Sequence, residues 1–476
     1  PLYVEPEQRP GGRPMAKDEL SGTEGYEDAY ALDATLYEDV IAAVDAGDES
    51  RLDALFEPLH PADIADLLEQ MSSGERAELL GAYSRAIDGE VLSDLDEVLR
   101  EEVISLLPEG ALAEAVRDLE SDDVVDLLED IEDAGQQQAI LGALDDDDRA
   151  AVEAALSYPE ESAGRLMQTE VVRVPEFWSV GETIDFLRSQ TEDLPEQFYH
   201  VILVDPRMKP VGNVTLGRLL STPRPVMMRD LVEEMFRTIP ADQPQADVAY
   251  AFNQYHLISA PVVDADGRLV GVITIDDAMI VLEEEAEEDI LRLAGVGDSS
   301  LSDRILETTK RRFPWLFVNL ITAILASAVI AQFEETIAQF VALAVLMPIV
   351  ASMGGNAGTQ SLTVAVRAIA TRDLTGSNLM RVVLREAGAG LINGLAFALV
   401  MGLVGYFWFA SAALGGVIAV AMVINLVIAG LAGVLVPVTL ERLKIDPALA
   451  SGAFVTTVTD IVGFFAFLGL AAVVLL

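Results

Sequence analysis

LASGAFVTTVTDIVGFFAFLGLAAVV, residues 449–474, decides what kind of protein this is. The stretch is apolar and long enough to cross about 30 Å of hydrocarbon as a helix. Near its middle stands a carboxylate, Asp460. A charge at that depth costs roughly 2.5–3.5 kcal/mol on insertion scales, so it must face a pore or a partner. No Lys or Arg lies in the apolar interior of any comparable segment, which leaves the pore reading ahead of a buried ion pair. Thr456, Thr457 and Gly463 share the helical face of Asp460 at offsets of −4, −3 and +3.

Four apolar segments precede this one, at about 313–333, 337–364, 383–408 and 412–438, so the last third of the chain reads as five transmembrane helices. Basic residues gather at Lys310-Arg311-Arg312, between Arg367 and Arg385, and at Arg442 and Lys444, whereas Glu334 and Glu335 mark one of the other connections. The positive-inside rule predicts a cell (inner or plasma) membrane protein with cytoplasmic N-terminal domains and its C-terminus outside.

The second span contains LMPIVASMGGNAGTQ, residues 346–360. Pro348 frees a backbone carbonyl, and Asn356 and Gln360 share a face. The glycines serve a packing seam between helices, a local unwinding beside a water-filled cavity, or both. Asn393 and Asn425 read chiefly as interhelical hydrogen-bonding residues. Carboxylate, amide and carbonyl oxygens suit a hard cation, and Mg²⁺ in particular is bound with most of its water by one or two carboxylates. One Asp per chain is little charge for a divalent ion, and a homodimer with its axis beside the fifth spans would double it.

The whole chain carries 78 acids against 30 bases, and only seven of those acids and six of those bases fall after residue 312. So negative a soluble part repels nucleic acid and attracts cations. It also has a plain reading, solubility in a salty cytoplasm, so ion sites must be argued from particular carboxylates. The absence of cysteine excludes disulfides and thiolate metal sites, and the scattered His60, His200 and His256 do not form a transition-metal site. The first 31 residues contain no apolar run like a signal peptide, and their Pro, Gly and acidic content predicts disorder.

Residues 32–160 predict an all-α domain of short amphipathic helices, in which LHPADIADLLE at 59–69 is echoed by LESDDVVDLLE at 119–129. Residues 161–282 predict a small α/β pair built from a repeat. YHVILVD at 199–205 returns as LISAPVVD at 257–264, and PVGNVT at 210–215 as LVGVIT at 269–274. An acidic run, LEEEAEEDI at 282–290, opens a connector over 283–312, in which Glu285 and Asp289 are like charges four apart. It is a solvated linker or a set of ion ligands. No phosphate loop or nucleophile constellation appears, so no catalytic residue is assigned.

These segments, together with GGNAGTQ at 354–360 and TTVTDIVG at 456–463, resemble the MgtE family of magnesium transporters and channels over nearly the whole chain. The resemblance implies a homodimer in the lipid bilayer. Each chain would carry a helical N domain, tandem cystathionine-β-synthase (CBS) domains, a connecting plug helix and five transmembrane helices. It implies that Asp460 binds hydrated Mg²⁺ in the pore, beside backbone near Pro348 and Asn356. It further implies a cytosolic Mg²⁺ sensor in which Asp122, Asp126, Asp277, Glu285, Glu288 and Asp289 bring the soluble domains together and close the channel. Ile280 stands where the family often has another acid. An adenine nucleotide at the CBS pair is a further candidate ligand. The alternatives are a secondary transporter coupled to H⁺ or Na⁺ and a membrane-tethered sensor that does not conduct.

Overall fold

The computed structural model describes residues 34–117, 119–129, 131, 133–189, 194–195, 198–233, 236–296 and 305–476. The disorder expected for residues 1–31, and residues 297–304 of the expected connector, lie outside them. Contacts divide the chain into two compact units: residues up to Leu119 with Leu127–Asp145, and Glu120–Asp126 with Asp146–Leu476.

The N-terminal portion is a run of short helices: α1 (Ala34–Ala46), α2 (Glu49–Phe56), α3 (Pro61–Gln70), α4 (Ser73–Ala82) and α5 (Gly89–Asp94). It continues with α6 (Glu97–Leu106), α7 (Glu109–Arg117), α8 (Ser121–Glu129), α9 (Ala134–Ala143) and α10 (Asp146–Ala155). Side-chain caps start α2, α3, α4, α5 and α9. His60 accepts from the Ala62 amide while Asp63 accepts from the His60 amide, and Pro61 takes the first helical position, where its missing N–H costs nothing. The sequence echo is a packing echo. Ile64, Ala65, Leu67 and Leu68 of α3 are buried, as are Val124, Val125, Leu127 and Leu128 of α8.

The α/β repeat follows. β1 (Arg173–Pro175), α11 (Val180–Ser189), β2 (His200–Val204), β3 (Pro210–Thr215) and α12 (Leu216–Ser221) form the first half. β4 (Ile239–Pro240), α13 (Gln245–Tyr255), β5 (Ser259–Val263), β6 (Leu269–Thr274) and α14 (Ile275–Leu293) form the second. In each half a parallel pair is extended by an antiparallel one, and the register slips at the same place, Leu203/Val204 and Val262/Val263. The turns match too: Asp205 caps the Arg207 and Lys209 amides, and Asp264 caps those of Asp266 and Arg268.

Among the described residues five helices are long and apolar enough to cross a membrane: Thr308–Ala331 of α15 (Ile305–Ala331), α17 (Ala342–Ala370), α18 (Leu379–Phe409), α19 (Ala412–Arg442) and Gly452–Val474 of α20 (Pro447–Val474). The second starts at 342 rather than 337. Glu334 and Glu335 begin a separate short helix, α16 (Glu334–Gln339), which ends at the non-helical Phe340. α17, α19 and α20 form the packed centre, around Leu346, Val350, Ile418, Ala421, Phe467 and Leu468. α18 lies along α19 on a glycine seam: a Cβ on Gly390 would stand 2.5 Å from the Leu426 carbonyl, and one on Gly415 2.6 Å from that of Gly402. The other side of α18 exposes Leu391, Ile392, Leu395, Leu399 and Phe407, an apolar surface fit for lipid.

Candidate functional site

The candidate pore is built from α20 and α17. On α20, Val455, Thr459, Gly463 and Phe467 turn into the packed centre, while Asp460 is half-buried and has no hydrogen-bond or ion-pair partner among the described residues. Thr456 donates to the carbonyls of Gly452 (3.0 Å) and Ala453 (3.1 Å), and Thr457 to that of Ala453 at 2.5 Å. Their protons being committed to backbone, these hydroxyls can offer only lone pairs outward, which suits the water shell of a cation.

α17 remains helical through Pro348 and the glycine motif, so the unwinding alternative is not realised. Gly354 and Gly358 form the seam: a Cβ on the first would lie 2.3 Å from Asn425 Nδ2, and on the second 2.6 Å from Val455 Cγ1. The opposite side of α17 exposes Pro348, Ser352, Asn356, Thr359, Gln360 and Thr363. Along it Asn356 donates to Ser352 at 3.3 Å, and Thr359 to the Gly355 carbonyl at 2.9 Å. A polar stripe in a helix of this length does not face lipid; it faces water or protein. A Cβ on Gly355 would come 3.8 Å from Thr456 Cγ2, which puts the glycine motif beside the turn that precedes Asp460.

Two side chains hold this arrangement. Asn425 of α19 is fully buried and donates to the Val350 carbonyl at 2.7 Å. Gly463 needs correction: it is buried against Asn425, where a Cβ would lie 2.9 Å from Oδ1, so it serves helix approach and not the open face of Asp460. Glu386, on α18, accepts from Ser361 of α17 at 2.9 Å and pairs with Arg385.

The cytosolic acids fall into two groups. In the first, Asp122 is buried, and burial pushes its carboxyl well up, with the charge of Asp277 adding to the effect. Burial likewise pushes Asp277 up to about 7, Asp276 and Asp123 adding to this while the Thr274 hydrogen bonds oppose it. Glu120, raised to about 7 by burial and by the charge of Glu170, accepts from Gln168. Ser121 anchors the segment: it donates to Glu170 at 2.9 Å and accepts from the Thr169 amide at 2.8 Å. Asp126, one turn beyond Asp122, lies on the exposed side of α8.

In the second group, Glu285, Glu288 and Asp289 are the partly buried acids of the α14 run, whereas Glu283 and Glu287 are exposed. Burial, then Glu161, raises the Glu285 carboxyl; burial, then Asp446, raises that of Asp289. Arg292 pairs with Glu288 and, at 3.1 Å, with Asp446, which caps the start of α20. Among the described residues no three His, Asp or Glu side chains converge as direct ligands of one ion. All-oxygen donors in pairs instead fit an ion that keeps most of its water.

Residues 347–470 match the model of the MgtE family, described as divalent cation transporters. Residues 59–161 match the MgtE intracellular N domain, and 224–284 the CBS domain. The magnesium transporter MgtE of Enterococcus faecalis is 34% identical over 317 residues, 67% of this chain and 70% of that protein. That of Thermus thermophilus is 35% identical over 348 residues, 72% of this chain and 77% of its own length.

The chain belongs to the MgtE family.

It is therefore a multi-pass membrane protein of a magnesium transporter family, not an enzyme. Its described part combines a helical N domain, CBS repeats and five membrane helices. A solved structure, the cytosolic domain of the Mg²⁺ channel MgtE in complex with ATP, is 31% identical and covers 52% of this chain and 99% of its own, with a TM-score of 0.48. Glu161, Glu170 and Asp446 had no local signal in the sequence, because each joins its group only through distant segments.

Proposed function

We propose that this protein is a Mg²⁺ uptake channel of the cell membrane, with its N-terminal domains cytoplasmic, that cytosolic Mg²⁺ closes. The observation that carries the reading is Asp460: half-buried, partnerless among the described residues, and one turn beyond Thr456, which lies against Gly355 of the α17 motif. The cargo would pass as the hydrated ion, its water donating to Asp460 and to the Thr456 and Asn356 oxygens. A second copy of the chain would cover the polar stripe of α17 and supply a second Asp460, which is why a homodimer accompanies the proposal. Pro348, exposed on the same side, frees a carbonyl at that surface.

Closure follows from linkage. Buried carboxylates such as Asp122 and Asp277, and the crowded Glu285, Glu288 and Asp289, disfavour the compact arrangement when ionised. Mg²⁺ held between them, with Asp126 at the margin of the first group, would remove that cost and shift the population toward the closed form. The CBS pair also has a cleft lined by Val172, Phe198, Tyr199, His200, Ser259 and Thr274, with His200 hydrogen-bonded to Ser259 at 2.7 Å across the two repeats. An adenine nucleotide is the ligand we propose there.

The test is Mg²⁺ flux into liposomes under a membrane potential. Asp460→Asn should lose most of the flux while folding as the wild type does. Normal flux in that variant, or uptake that follows a pH gradient without any potential, would count against the channel reading.

A further inference from the structure

Arg372 stands just past the cytoplasmic end of α17 with φ +57°, in the left-handed region that glycine occupies without strain. Strain of this kind persists only where the surroundings over-determine it, and here the surroundings are specific. The guanidinium pairs with Asp247 and lies 4.4 Å from the ring centroid of Tyr250, and both of these residues are on α13 of the second CBS repeat. α13 in turn shares a core with α14, Val248 and Phe252 packing in the same cluster as Ala278. The loop that carries Arg372 is braced. Thr371 donates to Asp373 at 2.8 Å, Asn378 to the Asp373 carbonyl at 2.7 Å, and the Thr375 amide to Asn378 at 2.8 Å. A pull on Arg372 therefore reaches both α17 and the start of α18.

We infer that Arg372 is a coupling residue that fastens the second CBS repeat to the end of the pore-lining helix. Rearrangement of the CBS pair then reaches the helix that bears Pro348 and Asn356 by a route separate from α14. The inference rests on the proposed closure by cytosolic Mg²⁺ and names a part of its transmission.

Two measurements on the full-length protein test it. In liposome flux with graded internal Mg²⁺, Arg372→Ala should leave maximal flux at low Mg²⁺ unchanged. It should raise the Mg²⁺ needed for closure about three- to tenfold, the scale of one exposed ion pair and one cation–π contact. Arg372→Gly, which relieves the backbone but also removes the guanidinium, should shift closure equally, and exchanging the pair (Asp247→Arg with Arg372→Asp) should restore part of the loss. An unshifted closure curve in Arg372→Ala and Arg372→Gly overturns the inference. The chain has no cysteine, so Asp247→Cys with Arg372→Cys gives a clean second readout with a short thiol-specific crosslinker. A crosslink yield that changes with Mg²⁺ supports coupling; no crosslink, or a yield indifferent to Mg²⁺, overturns it. Absence of Mg²⁺ inhibition in the wild type would overturn the closure reading, and coupling would fall with it only if crosslinking were also indifferent to Mg²⁺.

Discussion

Asp460 was legible as a pore candidate because a carboxylate inside an apolar stretch has few tolerable surroundings. Asn425 was legible as an interhelical hydrogen-bonding residue, which its bond to the Val350 carbonyl bears out, but not by partner, because an asparagine in a span has several tolerable surroundings. Only its neighbours show that it holds α17, α19 and α20 together, between Gly354, Gly463 and the Val350 carbonyl. The same logic sorts the glycines. A Cβ on Gly390 would meet the Leu426 backbone carbonyl at 2.5 Å, and neither helix axis can yield cheaply; one on Gly388 meets nothing within 4 Å. Gly390→Ala should therefore cost about 1–3 kcal/mol as overpacking. Gly388→Ala should be neutral or gain up to about 1 kcal/mol from reduced backbone freedom. Unfolding of the two variants in detergent compares them directly, and equal stability would mean that the α18–α19 seam is not tight.

At the scale of elements, what the sequence made legible was periodic or repeated: five apolar spans, the α3/α8 echo and the doubled α/β unit. Each rests on patterns of neighbouring residues, which local physics enforces. The boundaries moved where a local signal was outvoted. The second span gave up residues 337–341 because two glutamates initiate their own short helix before it. In α14 the acidic run was plain, but which acids turn inward depends on Glu161 and Asp446, far along the chain, as well as on Arg292 of α14 itself. This separation predicts unequal roles. Neutralising Glu285, Glu288 and Asp289 together should leave flux high at internal Mg²⁺ that closes the wild type, whereas neutralising the exposed Glu283 and Glu287 should change closure little. Flux titrated against internal Mg²⁺ distinguishes the sets, and equal effects would reduce the run to a diffuse negative field.

At the scale of the whole molecule, a net charge of −48 is mostly surface, yet a few carboxylates are buried against their own kind at a cost that pH can reveal. Glu120 and Asp277 have their carboxyls raised to about 7, and Asp122 is also raised. With the segment Glu120–Asp126 packed in place, these groups hold protons that they would release if the segment came away. Between the ordinary carboxylate range and about pH 7 the packed state thus binds more protons. Its stability is present at low pH, falls as pH rises through that window and levels off above it. A divalent cation taken up between the ionised carboxylates should replace the lost protons, so Mg²⁺ should matter above pH 7 and little near pH 5. Amide exchange of residues 121–126, corrected for the intrinsic pH dependence, reads this locally in the intact protein. Protection should be strong at pH 5 with or without Mg²⁺, weak at pH 8 in chelator and regained at pH 8 with Mg²⁺. Protection that instead increased from pH 5 to pH 8 in chelator would mean that these carboxylates are stabilised by their surroundings when ionised, and the cost that Mg²⁺ is proposed to relieve would not exist.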